Sequence, residues 1–258
     1  LIENSPELRL ICVAATGTNN INLEAAKDHG IPVTNVTAYG TPSVVQHVFA
    51  LMFALATRLQ DYTQLVAEGA WQQSSQFCLL DFPITELAGK TLGIVGYGEL
   101  GRGVAQAAEA FGMRVIIAER EGAEPRPGRV PLDDVLAFSD VVTLHVPLTA
   151  QTRNLIDARA LKRMKPGALL INAARGGVVD EQALADGLRA GRIGGAGVDV
   201  LTREPPVDGN PLLAADIPNL IVTPHIAWAS RESRQRLLDD IASTIAAWHR
   251  GEIRSRVV

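Results

Sequence analysis

Apolar residues in this chain concentrate in short runs at residues 8–14, 31–36, 91–95, 113–118, 140–145, 168–172, 194–200 and 219–222, each interrupted or bounded by only a few polar residues. Runs in which apolar residues follow one another, rather than alternating with polar ones, describe strands buried on both faces, the habit of a parallel sheet. Between the runs the spacing changes to helical, predicting helices over 23–29, 104–111, 131–138, 159–164 and 180–190, with Gly30, Gly112 and Gly191 as stops. Strand and helix alternate from end to end, so the expected architecture is α/β with a doubly wound parallel sheet.

Two features divide the pattern. Runs 8–14 and 31–36 lie too far upstream to join the later sheet, and a last helix over 230–248 is expected to return to them. The expected domains are therefore 1–42 with 229–258, a smaller lobe, and 43–228, a Rossmann domain. Between them a long helix starts with Ser43 as N-cap and continues through 60–71. Val44, Val45, Val48, Phe49, Leu51, Met52, Phe53, Leu55 and Leu59 cover almost its whole circumference. Such a helix must be buried on all sides, here between lobes and against a second subunit, so a homodimer is expected. Residues 72–83 read as a linker carrying Phe77 and Phe82, next to Trp71, a loop able to cover a neighbouring subunit or an active site.

The strand at 91–95 runs directly into Gly96, Gly98 and Gly101, spaced Gly-x-Gly-x-x-Gly, and then into a helix. The first glycine permits the turn, the second lets a pyrophosphate approach the backbone, and the third lets helix and strand pack closely. Free N–H groups at the helix start face the phosphates. Glu119 closes the next strand and is placed to accept hydrogen bonds from an adenosine ribose. A carboxylate there favours NAD, while Arg120, Arg126 and Arg129 close behind it leave NADP as a second possibility.

Composition narrows the classes. At 258 residues, 47% hydrophobic and 20% charged, the chain has the make-up of an ordinary globular protein. A net charge of −4 gives no footprint for nucleic acid or anionic membrane. Two cysteines, Cys12 and Cys78, make no disulfide framework and point to a reducing, cytoplasmic setting. No Cys/His pair has ligand spacing, so no metal is expected.

Three polar residues stand just past predicted strands, at the edge where α/β enzymes keep reactive groups: Arg175, Glu204 and His225. A guanidinium fork suits a carboxylate and its neighbouring carbonyl, and an imidazole beside a carboxylate is a general acid or base. Together they describe reduction of a 2-oxo acid. Each also has a plainer reading, as a turn arginine, a solvated glutamate or a satisfied histidine. Thr16, Gly17 and Thr18 end the first run, where backbone N–H groups can hold a carboxylate or simply form a turn. His29 reads as a helix-dipole partner, His47 as a packed helix residue, and His145 as a neighbour of the cofactor edge.

With these residues in place, the chain resembles the D-isomer-specific 2-hydroxyacid dehydrogenase family. The resemblance rests on 96–101 with Glu119, and on 143–149, 171–181, 197–201 with Glu204-Pro-Pro, and 223–227. Segments 15–21, 76–78 with 81–84, and 225–230 make it similar, more narrowly, to glycerate dehydrogenases, also called hydroxypyruvate reductases. It implies a Rossmann NAD-binding domain beside a smaller flavodoxin-like substrate domain whose opening strand and helix units do not precede Leu1. It implies that Arg175 binds substrate, His225 donates the proton, and Glu204 holds the imidazole. Thr16 and Gly17 would contact the carboxylate and Asp199 the nicotinamide carboxamide. Glu99, Leu100, Arg120, His145, Val146, Pro147, Thr152, Ala173, Ala174 and Ala227 would join Gly96, Gly98, Gly101 and Glu119 around the cofactor. The implied activity is NAD-dependent reduction of hydroxypyruvate to D-glycerate, with glyoxylate as a side substrate. Pyruvate-type substrates, and a dinucleotide-sensing interaction protein of the same fold, are the alternatives.

Overall fold

A computed structural model describes every residue except Leu1, Glu121, Pro125 and Ile253. The chain divides into two compact units, Leu1–Ser43 with Trp228–Val258, and Val44–Ala227.

In the smaller unit, strand β1 (Ile11–Val13) pairs in parallel with β2 (Val33–Asn35), with Ile11 opposite Val33. Helix α1 (Leu23–Asp28) connects them, capped by Asn22, whose side chain accepts from the Ala25 N–H, and closed by His29. The His29 Nδ1 lies 2.9 Å from the Ala25 carbonyl, at the negative end of the helix. Val13, Ala26 and Val33 form a small core with Ile11, Ile21 and Leu23 around it. The C-terminal helix Arg231–His249 belongs to this unit and is capped by Ser230, which accepts from the Ser233 N–H at 3.1 Å.

Helix α2, Thr41–Thr57, starts in the smaller unit and runs on as the opening element of the larger one, so Ser43 lies in its first turn rather than at the cap; within the smaller unit the Ser43 hydroxyl accepts instead from the Ser230 N–H at 3.4 Å. Nor does α2 continue unbroken. Arg58 adopts a left-handed conformation, φ 54°, and helix α3 (Leu59–Ala67) leaves at a bend of 60°. Arg58 is held there by an ion pair with Asp61 and by stacking over Phe82, contacts that helical periodicity does not register. Burial of α2 is also one-sided: Val48, Leu51, Met52 and Leu55 are buried, Val45 and Phe53 half-buried, and Ala50 exposed. Among the described residues no single helix is long and apolar enough to cross a membrane; α2 and α3 pass only as a bent pair.

Strands β3 (Thr91–Val95), β4 (Arg114–Ala118), β5 (Arg129–Val130), β6 (Val141–Leu144), β7 (Leu169–Asn172), β8 (Gly195–Val198) and β9 (Leu220–Val222) form one parallel sheet in the order β5-β4-β3-β6-β7-β8-β9. The two-residue edge strand β5 lies inside the Gly- and Pro-rich stretch that reads as loop, because two residues carry no period. Helices α4 (Glu99–Ala110), α5 (Leu132–Phe138), α6 (Ala158–Arg163) and α7 (Glu181–Arg189) complete the unit. Side-chain alternation explains the two layers. A side chain at Gly93 would meet Val135 of α5, whereas Ile94 faces Gly101 of α4. Ala196 and Val198 join the core beneath α6 and α7, whereas Gly197 faces Leu51 of α2. The order reverses between β3 and β6, which opens a crevice at their carboxyl ends.

Candidate active site

The crevice is lined first by the glycine turn. Gly96 has φ 96°, and a side chain there would strike the His145 carbonyl; at Gly101 it would strike the Gly96 carbonyl. Nothing lies within 4 Å of the corresponding position at Gly98, the N-cap of α4. Two glycines thus let chain segments touch, and the third leaves open space in front of the helix N-terminus, the shape a dinucleotide pyrophosphate requires. Glu99 and Leu100 form the first turn of α4, aiming their N–H groups along the helix axis.

Beside it, Glu119 follows β4. Both carboxylate oxygens are engaged: Oε1 accepts from the Arg120 N–H at 2.8 Å, Oε2 from the Arg126 N–H at 3.0 Å, and the Arg126 Nε and Nη2 grip the group as well. The side-chain hydrogen bonds from Arg126 lead in holding the Glu119 pKa down at about 2. Arg129 lies with its guanidinium 5.5 Å from the centre of the Tyr97 ring.

On the other side of the turn, the His145 Nε2 is 3.0 Å from the Thr143 hydroxyl, and its buried Nδ1 has no partner among the described residues. Burial pushes the His145 pKa down to about 4, keeping the ring neutral near pH 7. Val146 and Pro147 continue into a turn tied by Thr152, whose hydroxyl donates to the Pro147 carbonyl at 2.5 Å and accepts from the Thr149 N–H at 2.7 Å.

Arg175 is positioned by a residue that periodicity hides. Asn172 ends β7 almost wholly buried, accepts from the Ala174 N–H at 3.1 Å, and donates to the Arg175 carbonyl at 3.1 Å. Ala173 and Ala174 are buried beside it, and the Arg175 Nη1 rests on the Ala174 carbonyl at 2.7 Å. A polar residue closing an apolar strand was the available signal. The glycine after Arg175 lets two loops meet: at Gly176 a side chain would overlap the backbone of Leu201 and Thr202. The loop carrying Arg175 therefore lies directly against the loop carrying Glu204. The Glu204 Oε1 accepts from the Leu201 N–H at 2.8 Å, and Glu181 braces the same loop by accepting from the Thr202 N–H at 2.6 Å and from Asn210 at 2.7 Å.

The His225 Nδ1 lies 2.7 Å from the second Glu204 oxygen. A carboxylate only accepts, so the Nδ1 carries the hydrogen and Nε2 is the outward nitrogen. His225 has φ 54°, sparsely populated for a side-chain-bearing residue, and is held there by Asp199. The Asp199 carbonyl accepts from the His225 N–H at 2.8 Å, and its carboxylate accepts from the N–H groups of Ile226 and Ala227, each at 2.9 Å, and from the Thr223 hydroxyl at 2.6 Å. Its side chain is only 1% exposed. The His47 Nε2, on α2, sits 3.0 Å from that hydroxyl and 3.5 Å from the carboxylate, so His47 belongs to this knot rather than merely packing in its helix.

Thr16 and Gly17 lie in the other unit. The Thr16 hydroxyl donates to the Val36 carbonyl at 2.9 Å and its carbonyl accepts from Asn35 at 2.7 Å. The backbone N–H groups of Thr16 and Gly17 have no acceptor among the described residues. Among those residues no group of three His, Cys, Asp or Glu side chains could hold a metal.

A reversal of strand order, a glycine turn at its crevice and a histidine–carboxylate pair at the same sheet edge define a dinucleotide-dependent oxidoreductase. Residues 49–227 match the model of the D-isomer specific 2-hydroxyacid dehydrogenase NAD binding domain, and the chain belongs to that family. It is 51% identical to the glycerate dehydrogenase of Methylorubrum extorquens, over 97% of this chain and 79% of the relative. It is 38% identical to the hydroxypyruvate reductase of Blautia hydrogenotrophica, over 97% of this chain and 79% of that one. Among solved structures it is similar to an NADPH-dependent glyoxylate/hydroxypyruvate reductase of Sinorhizobium meliloti, with a TM-score of 0.86 and 31% identity over 98% of this chain and 79% of that one.

Proposed function

We propose that the protein reduces hydroxypyruvate to D-glycerate with a nicotinamide dinucleotide, and glyoxylate to glycolate as a side activity. The observation that carries this reading is the 2.7 Å bond between His225 Nδ1 and Glu204, at the carboxyl edge of a dinucleotide-binding sheet. The kinship to a glycerate dehydrogenase and a hydroxypyruvate reductase supports the substrate class.

When bound, the reduced dinucleotide supplies a hydride to the carbonyl carbon. Everything else falls to the chain. Arg175 presents a planar fork to the substrate carboxylate and the adjacent carbonyl oxygen. His225 Nε2 delivers a proton to that oxygen as it becomes a hydroxyl, and the resulting neutral imidazole takes a proton back from water. Glu204 keeps the tautomer and balances the imidazolium before transfer. Asp199 serves by holding the backbone of His225, Ile226 and Ala227.

The test is oxidation of NADH, and of NADPH, with hydroxypyruvate, glyoxylate, pyruvate and phenylpyruvate in parallel. Preference for hydroxypyruvate is expected, and His225→Ala should lose about 10²-fold or more of turnover while retaining dinucleotide binding. A preference for pyruvate or phenylpyruvate would refute the substrate assignment.

A homodimer is part of the proposal. Exposed apolar side chains crowd one segment: Val66, Trp71, Phe77, Leu80 and Ile84, with Phe77 89% exposed. Such a concentration suits a subunit interface. Sedimentation should give twice the chain mass, and Phe77→Asp with Leu80→Asp should give the monomer.

A further inference from the structure

The acidic residue that should receive an adenosine ribose is already taken. A carboxylate offers roughly four lone-pair positions. At Glu119 they are met by the Arg120 N–H, the Arg126 N–H and two guanidinium nitrogens of Arg126. Exposure is unequal within the pair, because the Glu119 side chain is 14% exposed and that of Arg126 is 49% exposed. The surface offered to a ligand is thus the outer side of a guanidinium rather than a carboxylate. The Arg126 Nη1 has no acceptor among the described residues, nor does the Arg120 side chain, and Arg129 adds a third cation against Tyr97.

Two consequences follow from charge alone. A ribose 2′-hydroxyl must displace Arg126 to reach Glu119, which weakens the usual gain from that contact. A 2′-phosphate meets a neutralised carboxylate and planar N–H donors suited to its oxygens, instead of a repelling charge.

We propose that Arg126 sets cofactor choice by occupying Glu119, so that this protein accepts the 2′-phosphorylated dinucleotide at least as readily as the unphosphorylated one. The inference rests on the dinucleotide-binding reading of the glycine turn and is independent of which 2-oxo acid is reduced. Arg126 is a specificity residue whose removal returns Glu119 to the ribose.

Direct binding tests it without turnover. Dissociation constants for NADH and NADPH, and for 5′-AMP against 2′,5′-adenosine bisphosphate, are measured by titration calorimetry on the unaltered chain, Arg126→Ala, Arg126→Gln and Glu119→Gln. The unaltered protein should bind NADPH at least as tightly as NADH. Arg126→Ala and Arg126→Gln should shift the ratio toward NADH by about tenfold or more, with the same shift for the adenosine probes. Glu119→Gln should leave NADPH binding within about threefold. A ratio unmoved in both Arg126 variants, or an unaltered protein binding NADH more than about threefold tighter than NADPH, would overturn the proposal. Arg126 is half exposed, and circular dichroism verifies that the variants fold. Failure to reduce hydroxypyruvate would leave these ratios unchanged, so the two readings fail separately.

Discussion

Gly176 is the position where a single methyl group should do most harm to activity for least chemical change. Its neighbours are backbone: the carbonyl of Leu201 and the nitrogen of Thr202 would both lie inside the envelope of an added Cβ. Backbone cannot rotate aside as a side chain can, so Gly176→Ala must push the two loops apart by on the order of 2 Å to restore ordinary contact at about 3.5–4 Å. One loop carries Arg175, and the other carries Glu204, which orients His225 at 2.7 Å. Overpacking of this kind costs about 1–3 kcal/mol of stability. A misplacement of about 1 Å at reacting groups costs about a hundredfold in rate. The glycine turn at Gly96–Gly101 is untouched, so dinucleotide binding should persist. Urea unfolding, NADH titration and steady-state rates with hydroxypyruvate measure the three quantities on one preparation. The expected pattern is a modest stability loss, near-normal NADH affinity and a turnover lower by about a hundredfold. Turnover within about twofold of the unaltered protein would show that the two loops need no such contact, and the reasoning would be wrong.

Other consequences separate structure from binding. Gly98→Ala meets open space and should fold normally yet weaken NADH by about tenfold or more, whereas Gly101→Ala, colliding with the Gly96 carbonyl, should lower the melting temperature; equal stabilities would refute the distinction. His145 titrates near 6.5 when unfolded and near 4 when folded, so between these values only the unfolded chain gains the proton. Stability should fall as pH drops through that window and level off below it, by at most roughly 3–4 kcal/mol; urea midpoints of His145→Asn should show a shallower slope, and identical slopes would count against it. His47→Ala should lower turnover by about tenfold with NADH affinity little changed, because the Thr223–Asp199 knot behind His225 loosens, while His47→Gln, which keeps a donor, should recover most of it; equal behaviour of the two variants would remove His47 from the knot.

Much of this protein is written locally. Unbroken apolar runs such as Leu92 to Val95 and Leu169 to Ile171 specify buried parallel strands, because a parallel sheet covered on both faces leaves no polar alternate position. The Gly96, Gly98 and Gly101 spacing specifies the turn, and the polar residues Arg175, Glu204 and His225 are marked by standing where apolar runs stop. Such signals survive in sequence because neighbours along the chain generate them. What the tertiary structure alone decided are contacts that the path of loops and the order of strands bring about. Arg126 closing over Glu119, Gly176 lying on Leu201, and His47 reaching Thr223 across 176 positions leave no periodic trace. Arg58 turning left-handed beneath Phe82 breaks a helix whose apolar pattern runs straight through it. Periodicity records which side of an element is apolar, while strand order and loop approach determine which polar groups meet, and those are properties of the folded sheet.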